Sequence, residues 1–171
     1  MSALCARALE RDIEPEAALS YIEALELTPP ENAPPCKRWP WPVRAYLLGG
    51  VSIFCDRQPL AFPRKAQKRP LELFMMLACS GRRGETRDKL ADQLWPAAEG
   101  DKAEQALSTT LHRLRRLLKC DGAIVQENDR ISLSARHCWV DAWYFEDLLE
   151  LARQTERAEE KISLLTEATA L

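Results

Sequence analysis

Residues 106–118 read ALSTTLHRLRRLL, and this stretch predicts a helix with two chemically different sides. At 100° per residue, one side collects apolar residues within about 80° of one another: Ala103, Leu107, Leu111, Leu114 and Leu118. The opposite side, called the donor face below, consists of Lys102, Gln105, Thr109, His112, Arg113 and Arg116. All six side chains can donate a hydrogen bond, and residues 105–119 contain no carboxylate. The pattern therefore predicts a helix that buries its leucines and exposes its cations.

Charge is distributed unevenly along the 171 residues. The net charge is only −2, which by itself does not indicate a polyanionic partner. Residues 64–119, however, hold 13 Lys and Arg against 7 Asp and Glu, whereas residues 141–171 hold 3 against 8. A ligand responds to charges within a screening length of about 8 Å rather than to the sum over the protein. The local excess around the donor face is compatible with nucleic-acid binding.

Short elements surround this helix, which is expected to run from about Asp101 to Lys119. Before it, residues 86–95 (TRDKLADQLW) predict a short helix that is capped by Thr86 and ends at Pro96. After it, AIVQ and RISL flank the turn ENDR and predict a β-hairpin over residues 123–133. A short capped helix, a longer helix and a hairpin are the parts of a helix-turn-helix with a wing.

Upstream of these helices, short β-branched and aromatic runs predict a small antiparallel sheet. Its expected strands are VRAYLL (43–48), VSIF (51–54) and PLAF (59–62). A helix from about Lys65 to Cys79 follows. Pro70 is tolerated only in a first turn, so the helix is expected to begin nearer Arg69.

Both ends of the chain are expected to lie outside this core. Residues 1–27 predict an accessory segment of two short helices, the second capped by Glu14 with Pro15 at its first position. Residues 28–42 hold six of the eleven prolines and are expected to form a stiff linker. From Asp141 onward, DAWYFEDLLELARQ and EEKISLLTEATAL predict two further helices.

The donor face carries side chains that can discriminate base pairs. The Arg113 guanidinium can bond to guanine O6 and N7, Gln105 can pair with adenine, and the Thr109 methyl group can contact a thymine methyl group. A basic helix end also complements the helix dipole, so the pattern alone leaves both interpretations open.

The chain from about Val43 to Leu133 resembles the OmpR-type winged-helix DNA-binding domain. The residues that carry the resemblance are TRDKLADQLW (86–95), similar to a Ser/Thr-Arg-x-x-Leu supporting helix, and TTLHRLRRLL (109–118), similar to an H-x-x-RLR-x-L recognition helix. HCWVDAWYFEDLLE (137–150) is similar to the junction into the bacterial transcriptional activator domain of antibiotic regulatory proteins and MalT-like regulators. The resemblance covers about 100 to 125 residues.

The resemblance implies roles for individual residues. Thr109 and Arg113 match base-reading positions, whereas His112, Arg115 and Arg116 match phosphate contacts; Gln105 and Lys102 on the donor face are added as a base and a phosphate contact. The hairpin would offer Asn128 and Arg130 to the minor groove or the flanking backbone, although its turn also carries Glu127 and Asp129. The basic run 64–69 and the pair Arg82 and Arg83 are compatible either with phosphate contacts or with solvated loops.

The predicted fold class is α+β: a winged helix-turn-helix with an N-terminal antiparallel sheet, three helices and a C-terminal hairpin wing, flanked by short helical segments. The winged-helix domain is expected at residues 43–137, and residues 138–171 are expected to begin a tetratricopeptide-like activator domain. A full activator domain would need more helix pairs, and the chain stops at Leu171 inside an apolar helical pattern. We therefore expect a fragment or a shortened member of such regulators.

Other chemistry finds little support. The six cysteines form no C-x-x-C pair and no zinc-type spacing with His112 or His137, so reduced thiols in a cytoplasmic protein are expected, without metal or cofactor. His137 and Cys138 are adjacent and would point to opposite faces of an extended segment. No P-loop, G-x-G-x-x-G or membrane-length apolar run is present. Trp95, Trp139 and Trp143 are assigned to packing.

The sequence thus predicts a non-enzymatic regulator of transcription that binds double-stranded DNA, with about six to eight basic contacts. Activation, contact with RNA polymerase and a dimer on DNA are implied by the resemblance alone. The alternative is a winged-helix interaction module without DNA binding, which docks an acidic partner or its own acidic C-terminal helices. An enzyme accessory domain is a third and more remote interpretation.

Overall fold

A computed structural model describes residues 1–30, 35–60 and 68–171, and shows a mixed α+β protein. Its helices are α1 (Ser2–Glu10), α2 (Pro15–Ala24), α3 (Lys68–Cys79), α4 (Arg87–Leu94), α5 (Gly100–Leu118), α6 (Asp141–Gln154) and α7 (Ala158–Thr169). Its strands are β1 (Val43–Tyr46), β2 (Ser52–Cys55), β3 (Gln58–Pro59), β4 (Glu85–Thr86), β5 (Ile124–Glu127), β6 (Arg130–Leu133) and β7 (Cys138–Val140). Within this described part, no helix combines the length and the apolar character needed to cross a bilayer.

The strands form two small sheets, in the orders β3–β2–β1–β7 and β4–β6–β5. The hairpin expected at residues 123–133 is confirmed: β5 and β6 pair antiparallel from Ile124 opposite Leu133 to Glu127 opposite Arg130. Its two-residue turn places Asn128 in the left-handed region with φ of 54°, which asparagine tolerates better than most residues. Strands β4 and β7 were not predicted, because runs of two or three residues carry no alternating pattern.

Most of the predicted helices are present with small shifts of their ends. The helix expected from Lys65 begins at Lys68 in the described residues, and Pro70 lies in its first turn. Residues 65–67 lie outside the described residues, and so do residues 61 and 62 of the expected third strand. Pro15 occupies the first position of α2 as expected. The expected side-chain caps are wrong, since neither Glu14 nor Thr86 makes a capping hydrogen bond.

The chain divides into two compact units, which we call the central unit (residues 42–44 and 52–138) and the terminal unit (residues 1–41, 45–51 and 139–171). In the central unit, α5 packs against both α3 and α4, and β6 packs against α3. The core that they enclose consists of fully buried apolar side chains from every one of these elements, among them Leu73, Phe74, Leu77, Leu90, Leu107, Leu114 and Ile131.

The terminal unit has its own core, in which the helix pairs α1–α2 and α6–α7 take part. The expected linker differs from the structure here: its described part contributes Cys36, Trp39 and Trp41, each at most 3% exposed, to this core. The Trp41 indole N–H also donates to the carbonyl oxygen of Cys36 at 2.9 Å. The proline content predicted a stiff linker, but burial of one indole removes some 150–250 Å² of surface from water, and these tryptophans therefore join the core.

Asp141 stabilises the terminal unit through buried hydrogen bonds. This first residue of α6 is fully buried, and its carboxylate accepts the backbone N–H groups of Leu47 at 2.8 Å, Leu48 at 2.9 Å and Ala142 at 2.7 Å. A buried carboxylate is costly unless hydrogen bonds replace its hydration. The three donors supply that replacement and tie the segment after β1 to the start of α6.

Candidate nucleic-acid interface

The two-sided character of α5 is confirmed. Ala103, Leu107, Leu111, Leu114 and Leu118 are each at most 2% exposed, so the predicted apolar stripe is buried against the neighbouring helices. All six residues of the donor face are exposed. Burial of the leucines fixes the rotation of the helix about its axis, so the donor face must point away from the core of the central unit.

The cations in the middle and at the end of the donor face remain available to a ligand. Within the described part of the chain, neither Arg113 nor Arg116 forms an ion pair, and His112 is also exposed without a carboxylate partner. Thr109 donates its hydroxyl to the carbonyl oxygen of Gln105 at 3.0 Å. That bond uses the only hydrogen of the hydroxyl, and it leaves the methyl group and the oxygen lone pairs for recognition.

Lys102 lies near the start of the donor face and has a partner. Its ammonium group is 2.7 Å from a carboxylate oxygen of Glu99, three residues earlier, and both side chains are more than 70% exposed. Exposed ion pairs contribute little because water competes with them. Lys102 can therefore exchange Glu99 for another anion at small cost.

Arg115 differs from the expectation that it contacts phosphate. It is half-buried and donates to the side-chain oxygen of Gln126 on β5 at 2.7 Å. The side chain thus joins the last turns of α5 to the hairpin. Its position beside the apolar stripe, rather than on the donor face, explains why it reaches a neighbouring element of the protein.

Arg130 also differs from its expected role in the hairpin. Its guanidinium donates to the carbonyl oxygens of Arg83 at 3.2 Å and Gly84 at 2.8 Å, and it lies 4.0 Å from a carboxylate oxygen of Glu85. The side chain therefore folds back to hold the loop before α4. Asn128, in contrast, is exposed at the tip of the hairpin as expected.

Arg87 has a role that the sequence did not suggest. From the first turn of α4 it donates to the Glu104 carboxylate through Nε at 2.9 Å and also through Nη2, which reaches Ser108 Oγ at 3.0 Å. These bonds join α4 to the edge of α5, and so they set the direction in which the donor face points. The motif around Arg87 was visible in the sequence, but its partners lie 17 and 21 residues away.

A groove of about 490 Å³ opens beside the donor face. It is lined by Arg69, Trp95, Lys102, Gln105, Ala106, Thr109, Thr110 and Arg113, and none of these carries a negative charge. The Arg69 guanidinium carbon lies 5.8 Å from the centre of the Trp95 ring, within range of a cation–π interaction. The groove thus presents three cations and several hydrogen-bonding groups on one surface.

The net charges of the two units are opposite. In the sequence, the central unit has 17 Lys and Arg against 11 Asp and Glu, a balance of +6, whereas the terminal unit has 7 against 15, a balance of −8. The donor face lies in the positive unit. A positive surface of this kind attracts polyanions at low ionic strength despite the overall charge of −2.

The thiols and His137 show no arrangement for catalysis or metal binding. The six cysteines are free, and burial raises the pKa of Cys55 to about 11 and also raises that of Cys138. His137 Nδ1 lies 3.0 Å from Ser134 Oγ, while the Cys138 thiol donates to the Ala123 carbonyl oxygen. Within residues 1–30, 35–60 and 68–171, no cluster of possible metal ligands is present.

Comparison with known proteins adds no assignment to this surface. No protein-family model matches the sequence, and no curated protein is significantly similar to it. The function of the donor face must therefore be argued from its geometry and its chemistry.

Proposed function

We propose that the central unit is a winged-helix DNA-binding domain and that the protein is a cytoplasmic, sequence-specific regulator of transcription. The observation that carries the proposal is the donor face itself: six exposed polar or basic side chains on a helix whose opposite side is fully buried. The order of α3, α4, α5 and the β5–β6 hairpin supports a helix-turn-helix with a wing. Regulation by activation and contact with RNA polymerase remain predictions from the resemblance.

In this proposal α5 enters the major groove of DNA. The helix has 19 residues and is therefore about 28 Å long, and the groove is about 12 Å wide, which admits a helix with its side chains. Gln105, Thr109 and Arg113 follow one another at intervals of four residues, which aligns them along the helix. They are the proposed base contacts: amide to adenine, methyl group to thymine and guanidinium to guanine.

The remaining cations of the donor face are proposed to bind phosphates. Arg116 and His112 flank the base contacts, and Lys102 is available by exchange from Glu99. Arg115 and Arg130 are not counted, because Arg115 is half-buried and Arg130 bonds two backbone carbonyl oxygens of the loop before α4. Three phosphate contacts predict that the logarithm of affinity falls with the logarithm of salt concentration at a slope of about −2.7.

Duplex binding by the whole chain tests the proposal. Binding would be measured by fluorescence anisotropy on a random-sequence duplex pool and on duplexes selected from it, at about 50 and about 200 mM salt. Arg113→Ala is expected to lose about 1–3 kcal/mol on selected duplexes and little on the pool, because it removes a base contact. Arg116→Ala is expected to weaken both equally and to make the salt slope shallower by about 0.9.

A matched control is available in the acidic unit. Arg153→Ala removes an exposed arginine of α6, which pairs with Glu150, and should leave duplex binding unchanged. Folding of each variant would be checked by circular dichroism. A folded wild-type protein that binds no duplex at about 50 mM salt would overturn the proposal and favour the alternative of a winged-helix interaction module.

A further inference from the structure

We propose that Arg69 of α3 is an additional contact to the phosphodiester backbone of DNA, held in position by Trp95. The inference rests on the proposed function and extends the binding surface beyond α5. It is carried by the groove beside the donor face, which brings Arg69 to the same surface as Lys102 and Arg113 although it lies more than 30 residues earlier in the sequence.

Trp95 acts as a positioning residue for Arg69. The guanidinium lies over the indole ring at 5.8 Å from the ring centre, and half of the arginine side chain remains exposed. The attraction of the ring for the cation uses none of its N–H donors, so the donors not bonded to Glu72 can bond to phosphate oxygens. The ring restricts a long side chain that would otherwise sample many rotamers, and so reduces the entropy lost on binding.

The charges around the groove favour an anion. Arg69, Lys102 and Arg113 line it together with the uncharged polar residues Gln105 and Thr109. The nearby acids are Glu72, which accepts one hydrogen bond from Arg69 Nη1 at 2.8 Å, and Glu99, whose carboxylate oxygen is 2.7 Å from the Lys102 ammonium group. Neither acid lines the groove, so together they reduce its positive charge but do not reverse it.

The neighbouring lysine provides a matched control. Lys68 stands next to Arg69 on α3, is 76% exposed and also pairs with Glu72, at 3.7 Å, but it does not line the groove. A purely long-range effect of charge would make Lys68 and Arg69 equivalent. A direct phosphate contact would make the affinity for DNA depend on Arg69 and not on Lys68.

The test compares Arg69→Gln, Lys68→Gln and Glu72→Gln in the full chain, with duplex affinity measured across a range of salt concentrations. Loss of one phosphate contact at about 0.1 M salt predicts up to about eightfold weaker binding for Arg69→Gln and a slope shallower by about 0.9. Lys68→Gln is expected to stay within about twofold of the wild type. Glu72→Gln is expected to bind more tightly, an outcome that loss of folding cannot mimic.

A second arm separates the source of the phosphate. Inorganic phosphate is titrated into the protein–duplex complex at constant ionic strength, and at millimolar concentration it should not displace the duplex. If phosphate displaces the duplex from the wild-type protein but not from Arg69→Gln, the groove binds a free anion and the inference is overturned. Equal effects of Arg69→Gln and Lys68→Gln would also overturn it, while leaving the proposed function standing. Absence of duplex binding by the wild-type protein would instead refute the proposed function.

Discussion

Gly84→Ala should destabilise the central unit far more than the same change at a nearby glycine. Gly84 precedes β4 with φ of +62°, and a Cβ atom built on it would lie 2.0 Å from the carbonyl oxygen of Ile131 and 2.7 Å from its carbonyl carbon. These are backbone atoms of β6, which cannot rotate away as a side chain can. Gly81 also has a positive φ, +68°, but a Cβ atom there would meet nothing within 4 Å.

Comparison of Gly84→Ala with Gly81→Ala separates two contributions to the loss of stability. Both substitutions place an L-residue in the left-handed region, which costs about 1–2 kcal/mol. Only Gly84→Ala also forces β6 to move, and insertion of a methyl group into a packed site costs about 1–3 kcal/mol more. The expected losses in the free energy of unfolding are therefore about 2–5 kcal/mol for Gly84→Ala and about 1–2 kcal/mol for Gly81→Ala.

Urea denaturation followed by tryptophan fluorescence and circular dichroism measures both values, since Trp95 and the helices α3, α4 and α5 lie in the central unit. An unchanged dependence of free energy on urea concentration would show that the two variants unfold like the wild type. Equal losses for the two variants would refute the close approach of the Gly84 loop to β6. That approach matters for the interface, because the Gly84 carbonyl oxygen also accepts the bond from Arg130.

Three further predictions concern other parts of the structure. Arg87→Met should lower the stability of the central unit by about 1–2 kcal/mol, because the largely buried Arg87 side chain loses its hydrogen bonds to Glu104 and Ser108 on α5. An unchanged Tm would contradict this. Asp141→Asn should lower the free energy of unfolding, measured by urea denaturation, by about 2–4 kcal/mol, because an amide cannot accept hydrogen bonds from all the buried N–H groups. An unchanged free energy of unfolding would contradict the hydrogen-bond assignment. In maleimide labelling at about pH 8, the exposed thiol of Cys79 should react in the folded protein. Cys55 should react only after unfolding, because it is buried and its pKa is raised to about 11. Equal labelling rates of the two cysteines would refute the burial of Cys55.

Local patterns in the sequence were sufficient for the elements of the central unit. The leucines at helical spacing in α5 have no other way to be buried together, so the rotation of this helix and the exposure of Arg113 and Arg116 follow from the sequence. The β5–β6 hairpin is a second case, because its partners are adjacent in the sequence and its turn residues are polar.

Interactions between distant residues could not be predicted in this way. Arg115 was expected to contact DNA because it matches a phosphate-contact position of the winged-helix family that the sequence resembles, and Arg130 because it lies in the expected wing hairpin. Whether a guanidinium points to solvent depends on acceptors from other elements. The acceptor for Arg115 is Gln126. The acceptors for Arg130 are the carbonyl oxygens of Arg83 and Gly84, which lie 47 and 46 residues earlier in the sequence. No periodicity within a single segment contains that information.

By itself, then, the sequence determined which side of α5 is buried, since burial of apolar surface depends on spacing along one element. Tertiary structure alone decided that tryptophans of a proline-rich segment join a core, that Arg69 stands beside α5, and that Arg115 and Arg130 bond within the protein. The physical reason is the range of the forces involved. Hydrogen bonds and ion pairs act only at contact distances, and the fold, not the order of residues, sets which polar groups meet.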